Sequence, residues 1–191
     1  MITTDNSKQY GIMLSGGLDS AILLYLLLKN NPNINLQPFT IPKFDGAALY
    51  AGPIVDYYNK LFSTNIPQPI LVGDPSVHHR QQSKVAVAYI FNNHPIDTLF
   101  VAINQNPSEL DQLPGAPQRD KKSDNPKIAF PFVDMHKDQI LKIMYDEGQE
   151  HLIDITHSCT EQQIGRCGQC WQCTERNWAF SQLSKIDTGA A

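Results

Sequence analysis

No cysteine occurs before residue 159. That excludes a disulfide framework spread over the fold and leaves the existing four as one local group, which in a reducing compartment points to metal binding or catalysis. Long apolar runs are missing too: residues 21–28 fall far short of the roughly 20 residues that span a bilayer. Residues 1–9 are polar and lack the apolar core of a secretory signal, so a cytoplasmic location with no membrane partner is expected. Positive charge is not in excess, with Lys and Arg at 15 against 19 Asp and Glu. This argues against a broad nucleic-acid-binding face, which is usually basic, while leaving a small local patch open. No Gly-Lys-Ser/Thr follows a glycine turn, which excludes the Walker P-loop, and the third glycine of the dinucleotide fingerprint is absent. A hydrophobic content of 41% with 18% charged residues over 191 residues fits one ordinary globular domain with a small appendage.

What is present is organised around Leu14-Ser15-Gly16-Gly17-Leu18-Asp19-Ser20. Residues 10–14 read as a buried strand, and residues 21–29 are rich in strong helix formers. A strand therefore turns through two glycines directly into a helix. Glycine lets a backbone come close to a ligand. The first helical N–H groups lack intrahelical partners and lie at the positive end of the helix dipole, which makes a phosphate cradle. Ser15 and Ser20 offer hydroxyl donors. Asp19 would repel a bare phosphate, so it is expected either to hold Mg²⁺ on the phosphates or to cap local backbone.

Further strands are expected over residues 34–40, 70–72, 98–103 and 128–132, with helices over 47–62, 81–92 and 134–147. The alternation of strands and helices predicts an α/β fold with a parallel sheet covered on both faces. Phe39 and Thr40 end the second strand, at the edge where open α/β sheets bind ligands. Val85, Ala88, Tyr89 and Ile90 are the expected apolar positions of the third helix. His78 and His79 are adjacent and cannot converge on one ion, whereas Arg80 places a cation near a helix start. Residues 106–127 hold four prolines and read as a long loop, either a substrate lid or a solvated connection. As a lid it would bring Arg119, Lys121 and Lys122 to phosphate charge. Lys137 sits in a first helical turn, against the dipole, which suits either an anionic ligand or simple exposure.

The remaining chemistry lies in Cys159, Cys167, Cys170 and Cys173. Spacers of seven, two and two residues suit four thiolates wrapped around one tetrahedral Zn²⁺ in a closed, structural site. An iron–sulfur cluster takes the same ligand set, and free thiols are the bland alternative. A helix over 174–183 follows, with Trp178 and Phe180 packing back on the domain, and residues 187–191 read as a frayed tail. The expected division is a nucleotide-binding α/β domain over 1–150 and a four-cysteine segment over 151–191 packed on it.

The Ser-Gly-Gly-x-Asp-Ser string resembles the PP-loop of the ATP pyrophosphatase superfamily. Joined to Ser158-Cys159, Cys167-Gly168-Gln169-Cys170-Trp171-Gln172-Cys173, Arg176 and Phe180, it resembles the 7-cyano-7-deazaguanine synthase family. The stretch Pro131-Phe132 to Lys137-Asp138-Gln139-Ile140 resembles that family's helix before its zinc knuckle. The resemblance implies an adenine nucleotide alpha hydrolase-like fold: a parallel, five-stranded, doubly wound sheet with a C-terminal helical zinc-knuckle segment. It implies an ATP-dependent ligase that adenylates a carboxylated deazapurine, uses ammonia, Mg²⁺ and Zn²⁺, and forms a homodimer. By the same resemblance, Ser15, Gly16, Gly17, Asp19 and Ser20 would hold the pyrophosphate and its metal; with Leu14 and Leu18 in the same turn, and Phe39 and Thr40 at the sheet's ligand edge, they make up the expected ATP site. Asp19, Ser20 and Lys137 would be catalytic, Arg80 and Asn104 would meet the substrate, and the four cysteines would hold zinc. The chain departs from the family near its third helix, where only Arg80 stands for a Pro-Gly-Arg-Asn. It departs again at the end of the fourth strand, where Ala102 or Ile103 replaces a glycine, and in the proline-rich loop. A divergent PP-loop enzyme adenylating a tRNA base for thiolation, or a protein end, is one alternative. A non-catalytic, zinc-stabilised nucleotide-binding module is the other.

Overall fold

The computed structural model describes residues 2–74, 79–119 and 123–190. Five parallel strands, β1 (Tyr10–Met13), β2 (Leu36–Thr40), β3 (Ile70–Leu71), β4 (Thr98–Phe100) and β5 (Ile128–Ala129), form one sheet in the order β3-β2-β1-β4-β5. The helices are α1 (Leu18–Asn30), α2 (Ala51–Phe62), α3 (His79–Asn93), α4 (Lys137–Asp146), α5 (Leu152–Ile155) and α6 (Trp171–Gln182). Short 3₁₀ helices occupy Ala47–Tyr50 and Thr188–Ala190. The fold is the expected α/β sheet. β4 and β5 are joined by the proline-rich connection, which carries no helix or strand among its described residues.

Side-chain alternation divides the interior. Tyr10, Ile12, Leu36 and Phe100 face a large core built with α1, α2, α4 and α6, while Phe39 and Leu99 face a smaller one closed by α3. Gly11 lies between them on the smaller side. A β-carbon there would stand 2.9 Å from Leu99 Cδ1 and 3.1 Å from Phe39 Cε2, so the neighbouring side chains fill the space it leaves. Helix α1 is buried nearly all round, from Leu18 to Leu28, as expected of a helix wedged between a sheet and other helices.

Three expectations change. On α3, Gln82, Ala86 and Ile90 are buried, whereas Val85, Ala88 and Tyr89 are exposed. The i, i+4, i+8 row sets the inward face, and the larger side chains lie beside it. Helix α4 starts at Lys137, not near residue 134. His136 is extended there, and its N–H donates to the Gln139 side chain at 2.9 Å, a capping contact. The C-terminal stretch is not frayed at Asp187, whose carboxylate accepts Arg176 Nε at 2.7 Å and Nη2 at 3.1 Å and also pairs with Arg166.

Arg176 is fully buried, so Asp187 is its compensation. Asp187→Ala is expected to destabilise the fold by about 3–5 kcal/mol, the usual result of leaving a buried ion without its partner. Urea unfolding would measure it, and a change under about 1 kcal/mol would show that water replaces the carboxylate at little cost.

Candidate active site

Strand order places the glycine turn. β1 has β2 on one side and β4 on the other, so the crevice beyond their carboxyl ends is a switch point where open α/β sheets bind ligands. Leu14 continues the ladder, its N–H donating to Phe39 O at 2.8 Å. Gly16 then takes a left-handed φ of 82°. A β-carbon on it would lie 1.8 Å from the Ala47 carbonyl oxygen. This glycine therefore admits the protein's own 3₁₀ helix, whereas the sequence suggested close approach of a ligand. Gly17 is the N-cap of α1 and supplies no side-chain cap, so the first amides of the helix are left for another acceptor.

The two hydroxyls are used within the turn. Ser20 Oγ donates to Gly17 O at 3.0 Å and accepts the Ser15 N–H at 3.2 Å. Ser15 Oγ lies 3.1 Å from Ser20 Oγ and accepts the Gly17 N–H at 3.3 Å. The hydroxyls thus shape the loop in this state, and backbone amides are its remaining donors.

A cavity of about 750 Å³ opens over this turn. Every residue from 14 to 20 except Gly16 lines it, together with Phe39, Thr40 and Lys137. Asn104 does not line it. That residue is buried, with its amide donating to Glu175 at 3.2 Å. Arg80 lies in the first turn of α3, and its side chain is outside the described residues, as are His78, Lys121 and Lys122.

Two residues complete a charge chain that the sequence reading left incomplete. Lys137 Nζ is 3.0 Å from Asp19 Oδ2 and 3.2 Å from Glu175 Oε2. Arg119 grips Glu175 with both ends of its fork, at 2.7 and 2.9 Å, and also donates to Asn104 O at 3.3 Å. Glu175 is fully buried. Burial works to raise its pKa, but the Lys137 charge and the Arg119 bonds outweigh it and hold the carboxyl below the ordinary value. Burial likewise works against charge on Lys137, and the carboxylates of Asp19 and Glu175 overcome it, so its pKa is raised. Lys137 is therefore neither exposed nor free; it is an ammonium fixed between two acids. Arg119, expected as a phosphate neutraliser, is committed to Glu175. Glu175 was missed because a lone glutamate in a helix carries no motif, although its position between Cys173 and Arg176 placed it beside known chemistry.

Asp19 Oδ1 is buried and has no hydrogen-bond partner, and neither does Thr40 Oγ1. An orphaned carboxylate oxygen at the positive end of a helix fits Mg²⁺ carried in on phosphates.

The four cysteines converge. Their Sγ atoms all lie within 4.8 Å of one another, with Cys159 and Cys173 buried. Tetrahedral thiolates on bonds of about 2.3 Å stand roughly 3.8 Å apart, so the group fits one ion, whereas a multi-iron cluster needs wider spacing. Backbone N–H groups of Cys167 and Cys170 point to sulfurs of Cys159 and Cys167 at 3.4 and 3.2 Å. The knuckle also touches the glycine turn. His157 N–H donates to Gly16 O at 2.9 Å, and its ring stacks on Tyr50 with centroids 5.0 Å apart. Gln163 Nε2 donates to Phe44 O at 3.1 Å.

A Ser-Gly-Gly-x-Asp-Ser turn at the switch point of a parallel α/β sheet is the arrangement that resembles the PP-loop of ATP pyrophosphatases. The family model for queuosine biosynthesis protein QueC matches residues 100–184, which include Arg119, Lys137, Glu175 and all four cysteines. The 7-cyano-7-deazaguanine synthase of Prochlorococcus marinus strain MIT 9312 is 23% identical, over 94% of this chain and 96% of that protein. The synthase of strain AS9601 is 22% identical over the same shares. Among solved structures, the U34-tRNA thiolase NcsA from Methanococcus maripaludis with its [4Fe-4S] cluster aligns at a TM-score of 0.48 and 14% identity. That alignment covers 97% of this chain and 69% of the thiolase. The chain is thus similar to 7-cyano-7-deazaguanine synthases along most of its length and to the QueC family model over residues 100–184.

Proposed function

We propose that the protein is an ATP-dependent ligase that converts 7-carboxy-7-deazaguanine and ammonia into 7-cyano-7-deazaguanine. The observation that carries this reading is a single cavity lined by both the PP-loop and the QueC-like half of the chain, including Lys137, Glu175 and Cys159. In this reading the acceptor carboxylate attacks the α-phosphorus of ATP and pyrophosphate leaves. Ammonia then displaces AMP to give the amide; the amide oxygen attacks the α-phosphorus of a second ATP with release of pyrophosphate, and AMP leaves carrying that oxygen as the nitrogen loses its two protons to give the nitrile. The amides of Leu18, Asp19 and Ser20 bind the departing pyrophosphate, and Asp19, whose Oδ1 is buried without a partner, would hold Mg²⁺ that offsets its charge. Lys137, held charged by its two acids, stabilises negative charge that develops at the transferred group. Phe39 and Thr40 take the nucleoside end. Cys159, Cys167, Cys170 and Cys173 would hold Zn²⁺ as a structural ion, since four thiolates would leave no open position for chemistry.

Purified protein with ATP, Mg²⁺, ammonium and 7-carboxy-7-deazaguanine is expected to release pyrophosphate and form the nitrile. ATP binding with no pyrophosphate release on this acid would retain the nucleotide site and overturn the acceptor.

A further inference from the structure

Arg119 comes from the connection between β4 and β5, and besides its bond to the Asn104 carbonyl two contacts pin its guanidinium. Its fork lies against Glu175, and its guanidinium carbon stands 4.8 Å from the centroid of the Trp171 ring. Its side chain is 15% exposed, and it lines the same cavity as the PP-loop. Its charge is already met: Arg119, Lys137, Glu175 and Asp19 sum to zero. Such a group collects an anion poorly. It does offer a flat, weakly hydrated guanidinium with one face covered by an indole, and planar guanidinium faces stack on aromatic rings and nucleobases.

Resting on the function proposed above, we infer that Arg119, backed by Trp171, is the platform on which a flat, fused-ring acceptor stacks, and that it sets specificity for a planar heterocycle. Glu175 is the positioning residue that holds the platform level. The same carboxylate binds Lys137, which reaches Asp19. One carboxylate and one ammonium therefore separate the platform from the acid of the PP-loop, so a carboxyl group projecting from a stacked ring is directed toward the nucleotide. The deep cavity has room for both, since its volume of about 750 Å³ lies in the upper part of the roughly 300–1,000 Å³ range of ligand pockets.

The chain has two tryptophans, so Trp178→Phe isolates Trp171 as a fluorescent reporter. In that background 7-carboxy-7-deazaguanine is expected to quench the emission saturably. Arg119→Lys, which keeps the charge and loses the plane, is expected to weaken acceptor binding at least tenfold and leave the ATP dissociation constant within twofold. Arg119→Gln, planar and uncharged, is expected to bind the acceptor more tightly than Arg119→Lys does, and circular dichroism confirms that both variants fold. The reverse order would overturn the platform in favour of an anion-binding role. Equal loss of ATP and acceptor affinity would do the same. If the parent binds ATP but no fused-ring acid, the platform falls and the nucleotide site stands; if it binds no ATP, the reading of the whole site falls.

Discussion

Asp19→Asn is expected to lower ATP-dependent pyrophosphate release by about 10²–10³-fold while barely moving the melting temperature. The substitution keeps the shape of the side chain and removes its charge. One carboxylate oxygen faces Lys137 and the other is buried without a partner. Bound Mg²⁺ is worth several kcal/mol of charge stabilisation in a phosphoryl-type transition state, and an amide holds such a hard cation much less well than a carboxylate. Folding is spared for a separate reason: Lys137 keeps Glu175 as its counter-charge at 3.2 Å. Pyrophosphate release measured across a range of Mg²⁺ concentrations checks this. A loss of less than tenfold at every concentration would remove Asp19 from the metal role and leave it a structural partner of Lys137.

The charge chain also marks where sequence reasoning stops. The PP-loop was legible because its function needs a fixed residue order within one turn, and the cysteines because metal spacing is local. The sheet followed from alternating apolar runs. Apart from the family resemblance, Lys137 was visible only as a lysine at an unfavourable helix position, and that oddity is what its burial between two acids explains. Glu175 lies on α6, while Asn104 and Arg119 lie at opposite ends of the β4–β5 connection, and their hydrogen bonds depend on how α6 crosses α4 and how the proline-rich connection returns. No local pattern encodes that. Asp187 was misread for a similar reason: a Gly-Ala tail looks loose until two buried arginines are found facing it. On α3, counting apolar residues found Ile90 but otherwise missed the buried row, where Ala86 packs inward while the larger Val85 and Tyr89 stay exposed.

Stripping the metal from the four-cysteine site is expected to weaken ATP binding at least tenfold, although none of the cysteines belongs to the PP-loop. The proposed Zn²⁺ site would contribute on the order of 10 kcal/mol to ordering its ligands, so its loss should release residues 159–173 and lower the melting temperature steeply. The same segment braces the nucleotide site. His157 N–H holds the Gly16 carbonyl, its ring stacks on Tyr50, and Gln163 ties down Phe44. Gly16 is held in its left-handed conformation with the Ala47 carbonyl directly beneath it, so a loosened knuckle frees both sides of that contact. Calorimetric titration of ATP before and after chelation measures the coupling, with metal content read in parallel. Tyr50→Ala separates bracing from general unfolding: it should retain the metal and still weaken ATP binding several-fold. If the chelated protein binds ATP as tightly as the intact one, the knuckle stabilises only its own end of the chain.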